Sequence, residues 1–389
     1  MKKKDEALKI AINTRLLIRN KLEGIGWFTY ETLRRITKNH PEVQFYFLFD
    51  REPDASFIFE SNVFPIVLFP QARHPFLFII WFELSVARAL RKIQPHLFLS
   101  PDGYLSLSTK VPSLAVMHDL NFEHFPKDLP WLVRCYYRFF FPRFARKAIR
   151  LATVSQFSKR DIAEQYNIDP GKVDVVFNGA NEMFVPLDDA EINLVRAKYS
   201  DGKPYFLFVG SLHPRKNLVR LFEAFDLFRA ENENDIKLVV VGEKKWWTKP
   251  ISAAFEKMDY KEEVVFCGRL DSIELHRITA AALAITYVSY FEGFGIPIAE
   301  AFRCGVPVIT SNVTSMPEVA GDAALLVDPY NINSIASAMA LMVKDEKLRA
   351  ELIRKGFERA GIFTWDGAAS RLWESMMHAY RESKNTLNT

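Results

Sequence analysis

The sequence has little cysteine and no long apolar run, and each shortage excludes a class of protein. Its 389 residues include three cysteines, Cys135, Cys267 and Cys304, which are odd in number and far apart. Their spacing fits neither a disulfide framework nor a zinc site, so we expect reduced thiols in a cytoplasmic protein. No apolar run approaches the roughly 18 residues of a membrane-spanning helix, and the initial Met-Lys-Lys-Lys lacks the apolar segment of a signal peptide.

The chain also lacks a strong charge of either sign. Its formal net charge is +4, with 28 Lys and Arg against 22 Asp and Glu in residues 1–200, and 23 against 25 in the remainder. This balance is too weak to indicate a nucleic-acid-binding protein, and no motif of that kind is present. The basic first half is compatible with an anionic lipid or a phosphorylated acceptor. No Asp-x-Asp motif ends a predicted strand, so we expect no metal and no other cofactor.

What the chain does have is an alternation of short apolar runs and helical patterns, which is typical of α/β layers with parallel sheets. The strands predicted in the first half are Leu8–Ile12, Phe45–Phe49, Ile66–Phe69, Leu97–Ser100, Ser113–Met117, Leu151–Val154 and Val173–Phe177. Those predicted in the second half are Tyr205–Val209, Lys237–Val241, Val264–Cys267, Leu283–Val288, Pro307–Thr310 and Leu325–Val327.

The two sets of strands are separated by Asn178–Lys203, a polar segment that we interpret as a linker. The sequence therefore predicts two Rossmann-like domains, residues 1–185 and residues 186–364. A C-terminal helix follows in residues 365–389, with Thr364 as its N-cap. We expect the carboxyl ends of the strands to line a cleft between the domains, because open α/β sheets bind ligands at that edge.

The run from Glu292 to Glu300 is the strongest indication of function. It reads Glu-Gly-Phe-Gly-Ile-Pro-Ile-Ala-Glu and connects a predicted strand to a predicted helix, Ile298–Arg303. Its glycines allow a ligand to approach the backbone, and Pro297 suits a first helical turn. The amides at a helix start favour an anion, so the run predicts a site for a phosphorylated, polyhydroxylated ligand that both glutamates face.

This spacing of two acids, with Gly-Phe-Gly after the first, resembles the retaining glycosyltransferases of family 4, which use nucleotide-sugar donors on a GT-B fold. The resemblance continues through Cys304–Thr310, Met316–Ala324 and Val327-Asp328-Pro329 with order and spacing intact. An isolated acid pair would favour two surface glutamates on a packed helix, and the longer string is what favours a site.

The resemblance implies roles for the acidic run. Glu292 is expected to bind hydroxyls of the donor sugar and to stabilise positive charge at the anomeric carbon, and Glu300 is expected to bind the ribose. The donor phosphates are expected to meet the backbone of Gly293, Phe294, Gly295 and Ile296. The family also has a C-terminal helix that crosses back to the first domain.

A basic turn after the strand Tyr205–Val209 supplies the second part of the predicted site. It reads Gly-Ser-Leu-His-Pro-Arg-Lys-Asn, in which Arg215 can bind two phosphate oxygens and Lys216 supplies a compact charge. Alone, it is explained equally well as a basic surface turn. The resembled family binds the donor diphosphate with such a pair after a glycine, here Gly210. Many members carry Arg where this chain has Ser211, which is at most a minor hydrogen-bond donor.

A glycine pair near the N-terminus predicts a further loop at the site. Gly24 and Gly26 lie before the predicted helix Thr29–Ile36 and allow a tight turn whose amides face the cleft. An ordinary loop is the simpler interpretation of this pattern. The resembled family has its N-terminal glycine loop here, although its usual Gly-Gly is Glu23-Gly24 in this chain.

The remaining candidates follow other predicted strands. His118 and Asp119 come after Ser113–Met117, and the resemblance implies that His118 contacts donor-sugar hydroxyls with Asp119 nearby. A lone histidine is more often structural, and no Ser or Cys nucleophile is paired with this one. Gly268, in the segment Phe266–Leu270, corresponds to backbone that holds the nucleotide base.

We therefore predict a retaining hexosyltransferase that uses a nucleotide-sugar donor, with GDP-mannose favoured. Its acceptor is expected to be a saccharide or a lipid-linked saccharide in cell-surface polysaccharide synthesis. A nucleotide-sugar epimerase, which needs no acceptor, and a catalytically idle nucleotide-sugar-binding scaffold are the alternatives. A phosphorylase is disfavoured because no segment resembles a pyridoxal-phosphate lysine site.

Two stretches leave a membrane contact open. Pro75–Lys92 and Trp131–Arg150 mix bulky aromatics with Arg and Lys, which is the composition of an interfacial helix. We favour amphipathic helices that cover the N-terminal sheet. Peripheral contact with the inner membrane face is the alternative, because many related enzymes act on lipid-linked acceptors.

Overall fold

The apolar runs of the sequence form parallel strands in the computed structural model, which describes residues 7–232, 234–244 and 247–387. Most strand residues are buried, as expected where helices cover both faces of a parallel sheet. Every predicted strand is present, with small shifts at its ends. The chain divides into two units, Met1–Asn178 with Trp365–Thr389, and Gly179–Thr364.

The strands of the first unit come from all parts of residues 1–178. They are β1 (Lys9–Asn13), β2 (Gln44–Phe49), β3 (Val63–Val67), β4 (Leu97–Ser100), β5 (Ser113–Val116), β6 (Arg150–Thr153) and β7 (Val173–Val175). In its described part they form one seven-stranded parallel sheet in the order β3-β2-β1-β4-β5-β6-β7. This is the Rossmann order with one added strand. The strand order reverses between β1 and β4, which is the point at which such sheets bind ligands.

The helices of residues 1–178 cover this sheet. They are α1 (Gly24–Asn39), α2 (Pro75–Ile80), α3 (Ala87–Ile93), α4 (Asn121–His124), α5 (Trp131–Lys147) and α6 (Gln156–Tyr166), with a π-helical segment, Trp81–Val86, joining α2 to α3. The favoured interpretation of the two aromatic stretches is supported, because Trp81, Phe82, Leu90 and Phe144 all belong to the core beneath them.

The second unit repeats the architecture. Its strands are β8 (Tyr205–Val209), β9 (Lys237–Val241), β10 (Val264–Gly268), β11 (Ala284–Tyr287), β12 (Val308–Ser311) and β13 (Ala324–Val327). Over the residues described here they form a six-stranded parallel sheet in the order β10-β9-β8-β11-β12-β13. This is again the Rossmann order, with the reversal between β8 and β11. The prediction of two Rossmann-like α/β domains is confirmed.

The helices of the second unit lie between its strands and after them. They are α7 (Asp189–Ser200), α8 (Leu218–Glu231), α9 (Lys249–Glu256), α10 (Ser272–Ala280), α11 (Ile296–Arg303), α12 (Met316–Ala320), α13 (Ile332–Lys344) and α14 (Glu346–Ala360). The core includes Phe206, Phe222 and Phe225 from β8 and α8, packed with Ile335 and Met339 of α13.

The last helix, α15 (Trp365–Leu387), is grouped with the first unit and packs on α1. Arg35 Nε of α1 lies 2.5 Å from Asp366 Oδ1. Arg150 of β6 forms two ion pairs, one with Glu382 of α15 at 2.6 Å and one with Asp174 of β7 at 2.7 Å. The C-terminal segment is therefore fixed to the sheet of the first unit by paired charges.

The interpretation of Asn178–Lys203 as a linker is wrong over much of its length. Residues Asp189–Ser200 form α7, whose N-cap is Asp188, and α7 packs on α10, β9 and β10 of the second unit. The helix buries only Val195 and Ser200 among its residues, so its sequence has the polarity of a linker. The units divide at Asn178, before the expected boundary at residue 185.

Candidate active site

The acidic run forms the loop between β11 and α11. Glu292 lies on the loop, Glu300 lies in the helix, and Pro297 occupies the first helical turn, as the sequence indicates. Gly295 has a left-handed backbone with φ of 103°, and a Cβ at this position would lie 3.3 Å from the ring of Tyr287. The turn from loop to helix therefore requires glycine.

The basic turn follows β8 and is fastened to the strand before the acidic loop. Pro214–Lys216 form one turn of 3-10 helix, and Asn217 then adopts a left-handed φ of 63°. The Asn217 side-chain amide donates to the carbonyl oxygens of Val288, at 2.9 Å, and Pro329, at 2.7 Å. These contacts hold the two basic residues at the same sheet edge as Glu292.

Glu292 bridges the two basic residues. Its Oε2 lies 2.7 Å from Arg215 Nη1 and its Oε1 lies 2.7 Å from Lys216 Nζ. Arg215 Nη1 also donates to the carbonyl oxygen of Phe291 at 3.0 Å, and Lys216 Nζ donates to the hydroxyl of Tyr287 at 2.6 Å. One buried carboxylate thus faces two cations, which leaves the cluster with one excess positive charge.

The two glutamates of the run have opposite electrostatic states. Burial alone would raise the pKa of Glu292, but the positive charges of Arg215 and Lys216 outweigh it and hold that pKa at about 2. The Glu300 carboxyl has no hydrogen bond or ion pair within the described part of the chain, and burial raises its pKa to about 7. Glu292 is therefore ionised at neutral pH, whereas Glu300 titrates near neutral pH.

A turn between β12 and α12 holds the backbone of Glu292. Ser315 Oγ donates to the carbonyl oxygens of Glu292, at 2.8 Å, and Phe294, at 3.1 Å, while Thr314 Oγ1 accepts from Glu292 N at 3.3 Å. Thr314 has a left-handed φ of 57°, a conformation that costs about 1–3 kcal/mol for a residue other than glycine. Neither hydroxyl was predicted from the sequence, although a Thr-Ser pair shortly after a buried strand was a signal.

Among the other predicted residues of the second unit, Gly210 and the backbone after Glu292 adjoin this cluster. A Cβ added to Gly210, the first residue of the basic turn, would lie 3.5 Å from Lys216 Cε. The backbone from Gly293 through Ile296 joins Glu292 to α11. Ser211 is exposed, and Gly268 ends β10 with a left-handed φ of 66° and nothing within 4 Å of its Cβ position.

His118 lies at the carboxyl end of β5 in the first unit. Its Nε2 donates to the carbonyl oxygen of Pro101 at 2.9 Å, since a carbonyl can only accept. Its ring centre lies 4.9 Å from that of Phe28, with the two rings perpendicular. Burial lowers the pKa of His118, because desolvation disfavours the imidazolium. The neutral ring therefore presents Nδ1 as a hydrogen-bond acceptor. Asp119 accepts from the backbone N of Asn121 at 3.0 Å, which is a local turn contact.

The prediction of a glycine turn at residues 24 and 26 is wrong. Both Gly24 and Gly26 lie in the first turn of α1, which begins at Gly24, and neither has a positive φ. Close packing accounts for Gly26, because a Cβ there would lie 3.2 Å from Leu22 Cδ2 and 3.3 Å from the carbonyl oxygen of Leu16. The glycines therefore mark the N-terminus of a helix after β1 and not a turn before it.

Sequence reasoning also missed a buried charge cluster in the first unit. Asp102, after β4, accepts from Arg15 Nε at 2.6 Å, Asn13 Nδ2 at 2.7 Å and Ser100 Oγ at 3.0 Å. The Arg15 guanidinium lies 4.4 Å from the ring centre of Tyr104 and near two phenylalanine rings. One acid and one cation balance each other here, at the point where the sheet order reverses.

Over residues 7–232, 234–244 and 247–387, His, Cys, Asp and Glu side chains nowhere gather in a group of three or more that could hold a metal ion. In the same ranges we find no helix with both the length and the apolar character of a bilayer-spanning segment.

Comparison with known families gives two matches that together span most of the chain. The profile described as Glycosyltransferase Family 4 matches residues 22–183, and the profile described as Glycosyl transferases group 1 matches residues 191–359. The first lies in the first unit, apart from its last residues, and the second lies wholly in the unit that carries Glu292, Arg215 and Lys216.

Individual proteins agree with this assignment. The O-antigen chain mannosyltransferase B of Escherichia coli is 29% identical over 298 residues, which are 73% of this chain and 75% of that protein. The structure of WaaG, a glycosyltransferase involved in lipopolysaccharide biosynthesis, has a TM-score of 0.74 at 16% identity and covers 94% of this chain and 99% of its own. Anabaena Alr3699/HepE in complex with UDP-glucose has a TM-score of 0.70 at 17% identity, covering 98% and 99%. The last two show likeness of fold alone.

Proposed function

This chain belongs to the family 4 glycosyltransferases and is a hexosyltransferase with the GT-B fold, and we propose that it transfers mannose from GDP-mannose with retention of configuration. The proposed acceptor is a saccharide or a lipid-linked saccharide, and the proposed process is cell-surface polysaccharide synthesis. The observation that carries the proposal is the Glu292 cluster with its excess positive charge beside the start of α11.

The charge of the cluster suits a nucleoside diphosphate. Arg215 can bind two phosphate oxygens side by side, and Lys216 adds a point charge. The N-terminus of α11 contributes partial positive charge at the same sheet edge. As the bond between the sugar and the phosphate breaks, negative charge grows on the departing diphosphate, and these groups stabilise it.

The buried Glu292 carboxylate suits the sugar itself. Because Arg215 and Lys216 keep it ionised, it accepts hydrogen bonds from sugar hydroxyls and stabilises positive charge at the anomeric carbon. In the proposed step the acceptor oxygen bonds to that carbon on the face from which the phosphate leaves. The acceptor hydroxyl proton passes to the departing phosphate oxygen, so no enzyme nucleophile is required.

Glu300 is proposed to bind the ribose. Its residue is half-buried and its carboxyl has no partner in the described chain, so two ribose hydroxyls would satisfy a group that partial burial otherwise destabilises. The backbone that ends β10 at Gly268 is proposed to hold the base, with Ser211 at the margin of the phosphates. The side chains of the cluster do not distinguish one base from another.

The relatives support mannose as the sugar and a surface polysaccharide as the product. The Escherichia coli relative is named as an O-antigen chain mannosyltransferase, and a Salmonella typhimurium relative carries a similar name. The solved structure with UDP-glucose supports a nucleotide-sugar donor in general. We propose GDP-mannose because it agrees with these relatives and with the resemblance of the acidic and basic motifs.

An inner-leaflet contact is proposed for the first unit. Phe76 of α2 and Trp131 and Phe139 of α5 are each more than half exposed, at 65%, 64% and 51%. α5 carries Arg and Lys, and Arg73 lies just before α2, so aromatic side chains can enter the interface while the cations meet anionic lipid. Co-sedimentation with phosphatidylglycerol vesicles, lost in Trp131→Ser, tests this contact.

Transfer from labelled GDP-mannose to membrane saccharide acceptors tests the proposed function. We expect acceptor-dependent product that an α-mannosidase removes, and no such product from UDP-glucose. Conversion of the donor sugar without acceptor would establish the epimerase instead. Binding of the donor with no turnover would establish the scaffold, and product sensitive only to a β-mannosidase would contradict retention.

A further inference from the structure

Side-chain hydroxyls hold the acidic loop beyond the end of the β11–β12 pairing. The two strands pair as far as Tyr287 and Thr310. There, Thr310 Oγ1 donates to the carbonyl oxygen of Tyr287 at 2.8 Å, and Ser311 Oγ donates to that of Ser289 at 2.6 Å. The hydroxyls thus continue, through side chains, the attachment that backbone groups no longer make.

The next two hydroxyls reach Glu292 itself. Thr314 Oγ1 accepts from Glu292 N, and Ser315 Oγ, which is fully buried, donates to the Glu292 carbonyl oxygen and to that of Phe294. The backbone is therefore held on both sides of the Glu292 Cα. A carboxylate that must meet both Arg215 and a substrate gains a fixed starting point from this arrangement.

The backbone of Thr314 indicates that this hold is more than ordinary loop packing. A β-branched residue with φ of 57° is an outlier, whereas glycine or asparagine adopts this conformation readily. What Thr provides here is a hydroxyl at 3.3 Å from Glu292 N. Strained conformations of this kind persist where the surroundings impose them, and they concentrate at functional sites.

We propose that Thr314 and Ser315 are positioning residues for Glu292, which they align with the anomeric carbon of the donor. The inference rests on the proposed function, because it is there that Glu292 contacts the sugar. The diphosphate meets Arg215 and Lys216, which lie on a different turn, fastened by the Asn217 side chain to Val288 and Pro329. Loss of the hold therefore lowers the rate of the bound complex and leaves nucleotide affinity intact.

Steady-state kinetics and GDP titration of the full chain test the proposal with Thr314→Gly and Thr314→Ser. We expect Thr314→Gly to lower kcat about tenfold, while the Kd for GDP stays within about twofold. Its melting temperature should not fall, because release of the left-handed strain offsets the lost hydrogen bond. Thr314→Ser keeps the hydroxyl and should restore kcat. An unchanged kcat in Thr314→Gly would overturn the positioning role.

Amide exchange gives a readout that needs no activity. In Thr314→Gly, the Glu292 amide should exchange about fivefold faster than in the wild type, and in Thr314→Ser it should not. Ser311→Ala, which removes a similar hydroxyl from the carbonyl of Ser289, is the matched control and should leave the Glu292 amide unchanged. Equal exchange in all variants would overturn the contact. A wild type without transfer activity would count against the proposed function, and exchange would still decide whether Thr314 holds Glu292.

Discussion

The two sheets share the Rossmann strand order, but the residues at the carboxyl ends of their strands differ in charge balance. In the second unit, Glu292 faces both Arg215 and Lys216, so one positive charge is in excess. In the first unit, Asp102 faces Arg15 alone, and the nearby His118 is neutral because burial lowers its pKa. The same fold thus presents a cationic edge in one unit and a balanced edge in the other.

This difference separates two kinds of ligand. An edge with excess positive charge favours a diphosphate, whereas a balanced edge with hydrogen-bond acceptors favours neutral hydroxyls. The carboxylates Asp102 and Glu292 are both buried, and a buried ion that loses its partner destabilises the protein. The comparison therefore predicts that charge changes at the second unit alter nucleotide affinity, and that changes at the first do not.

Removal of the Glu292 charge should have the largest effect. We expect Glu292→Gln to lower kcat/KM about 10²–10³-fold, because a group aligned with the reacting carbon is lost. GDP should bind more tightly, since Arg215 and Lys216 lose their carboxylate. Enzyme assays and calorimetric titration measure both quantities, with Glu223→Gln on the exposed face of α8 as the control. Weaker GDP binding in Glu292→Gln would show that the charges of Arg215 and Lys216 do not set the affinity for the diphosphate.

Asp102→Asn should destabilise the protein by about 3 kcal/mol, because it leaves Arg15 buried without its partner. Arg15→Met combined with Asp102→Asn should cost less than the sum of the two single changes. Urea unfolding of all four proteins measures this coupling. GDP affinity should be the same throughout, and a change in it at Asp102→Asn would contradict the assignment of the diphosphate to the second unit.

Glu300 should make stability depend on pH. Its pKa rises from 4.5 to about 7 on folding, so between these values the folded state binds more protons and its stability falls as pH increases. Glu300→Gln should therefore gain at most about 3 kcal/mol over the wild type at about pH 8 and little near pH 4.5. Urea unfolding at the two pH values checks this. An equal gain at both would show that the carboxyl is not destabilised by burial.

His118 should show the smallest effect, because its proposed contact is one neutral hydrogen bond. Asn places an acceptor near the position of Nδ1, whereas Phe keeps only the packing against Phe28. We expect His118→Phe to lose about tenfold in kcat/KM, His118→Asn to lose less, and neither to change GDP affinity. Equal losses in both variants would show that packing, rather than the acceptor, is what His118 provides.

The sequence predicts the parts of the site that are contiguous. Glu292 to Glu300 and the basic turn each occupy one short segment, with glycine and proline marking the strand-to-helix connection. The glycines at 24 and 26 show the limit of this reasoning, because Gly-x-Gly looks alike in a turn and at the start of a helix. The backbone distinguishes the two, because α1 begins at Gly24 and neither glycine has a positive φ.

The parts that escaped prediction act through residues distant in sequence. Arg15 and Asp102 are 87 positions apart and meet because β1 and β4 are neighbours at the reversal of the sheet. Thr314 and Ser315 gain their role from a loop over 20 positions earlier, and α7 looks polar because it buries few residues. Pair contacts of this kind require the fold before they can be recognised.

We propose that the excess positive charge of the second unit binds a diphosphate. Calorimetric titration of GDP and GMP, with UDP and UMP as a second pair, tests it on the wild type, Lys216→Ala and the exposed control Lys257→Ala. For the preferred base, the diphosphate should bind about a hundredfold more tightly than the monophosphate in the wild type and the control, and less than about tenfold more tightly in Lys216→Ala. Equal affinity for diphosphate and monophosphate in the wild type would show that the excess charge does not bind the second phosphate.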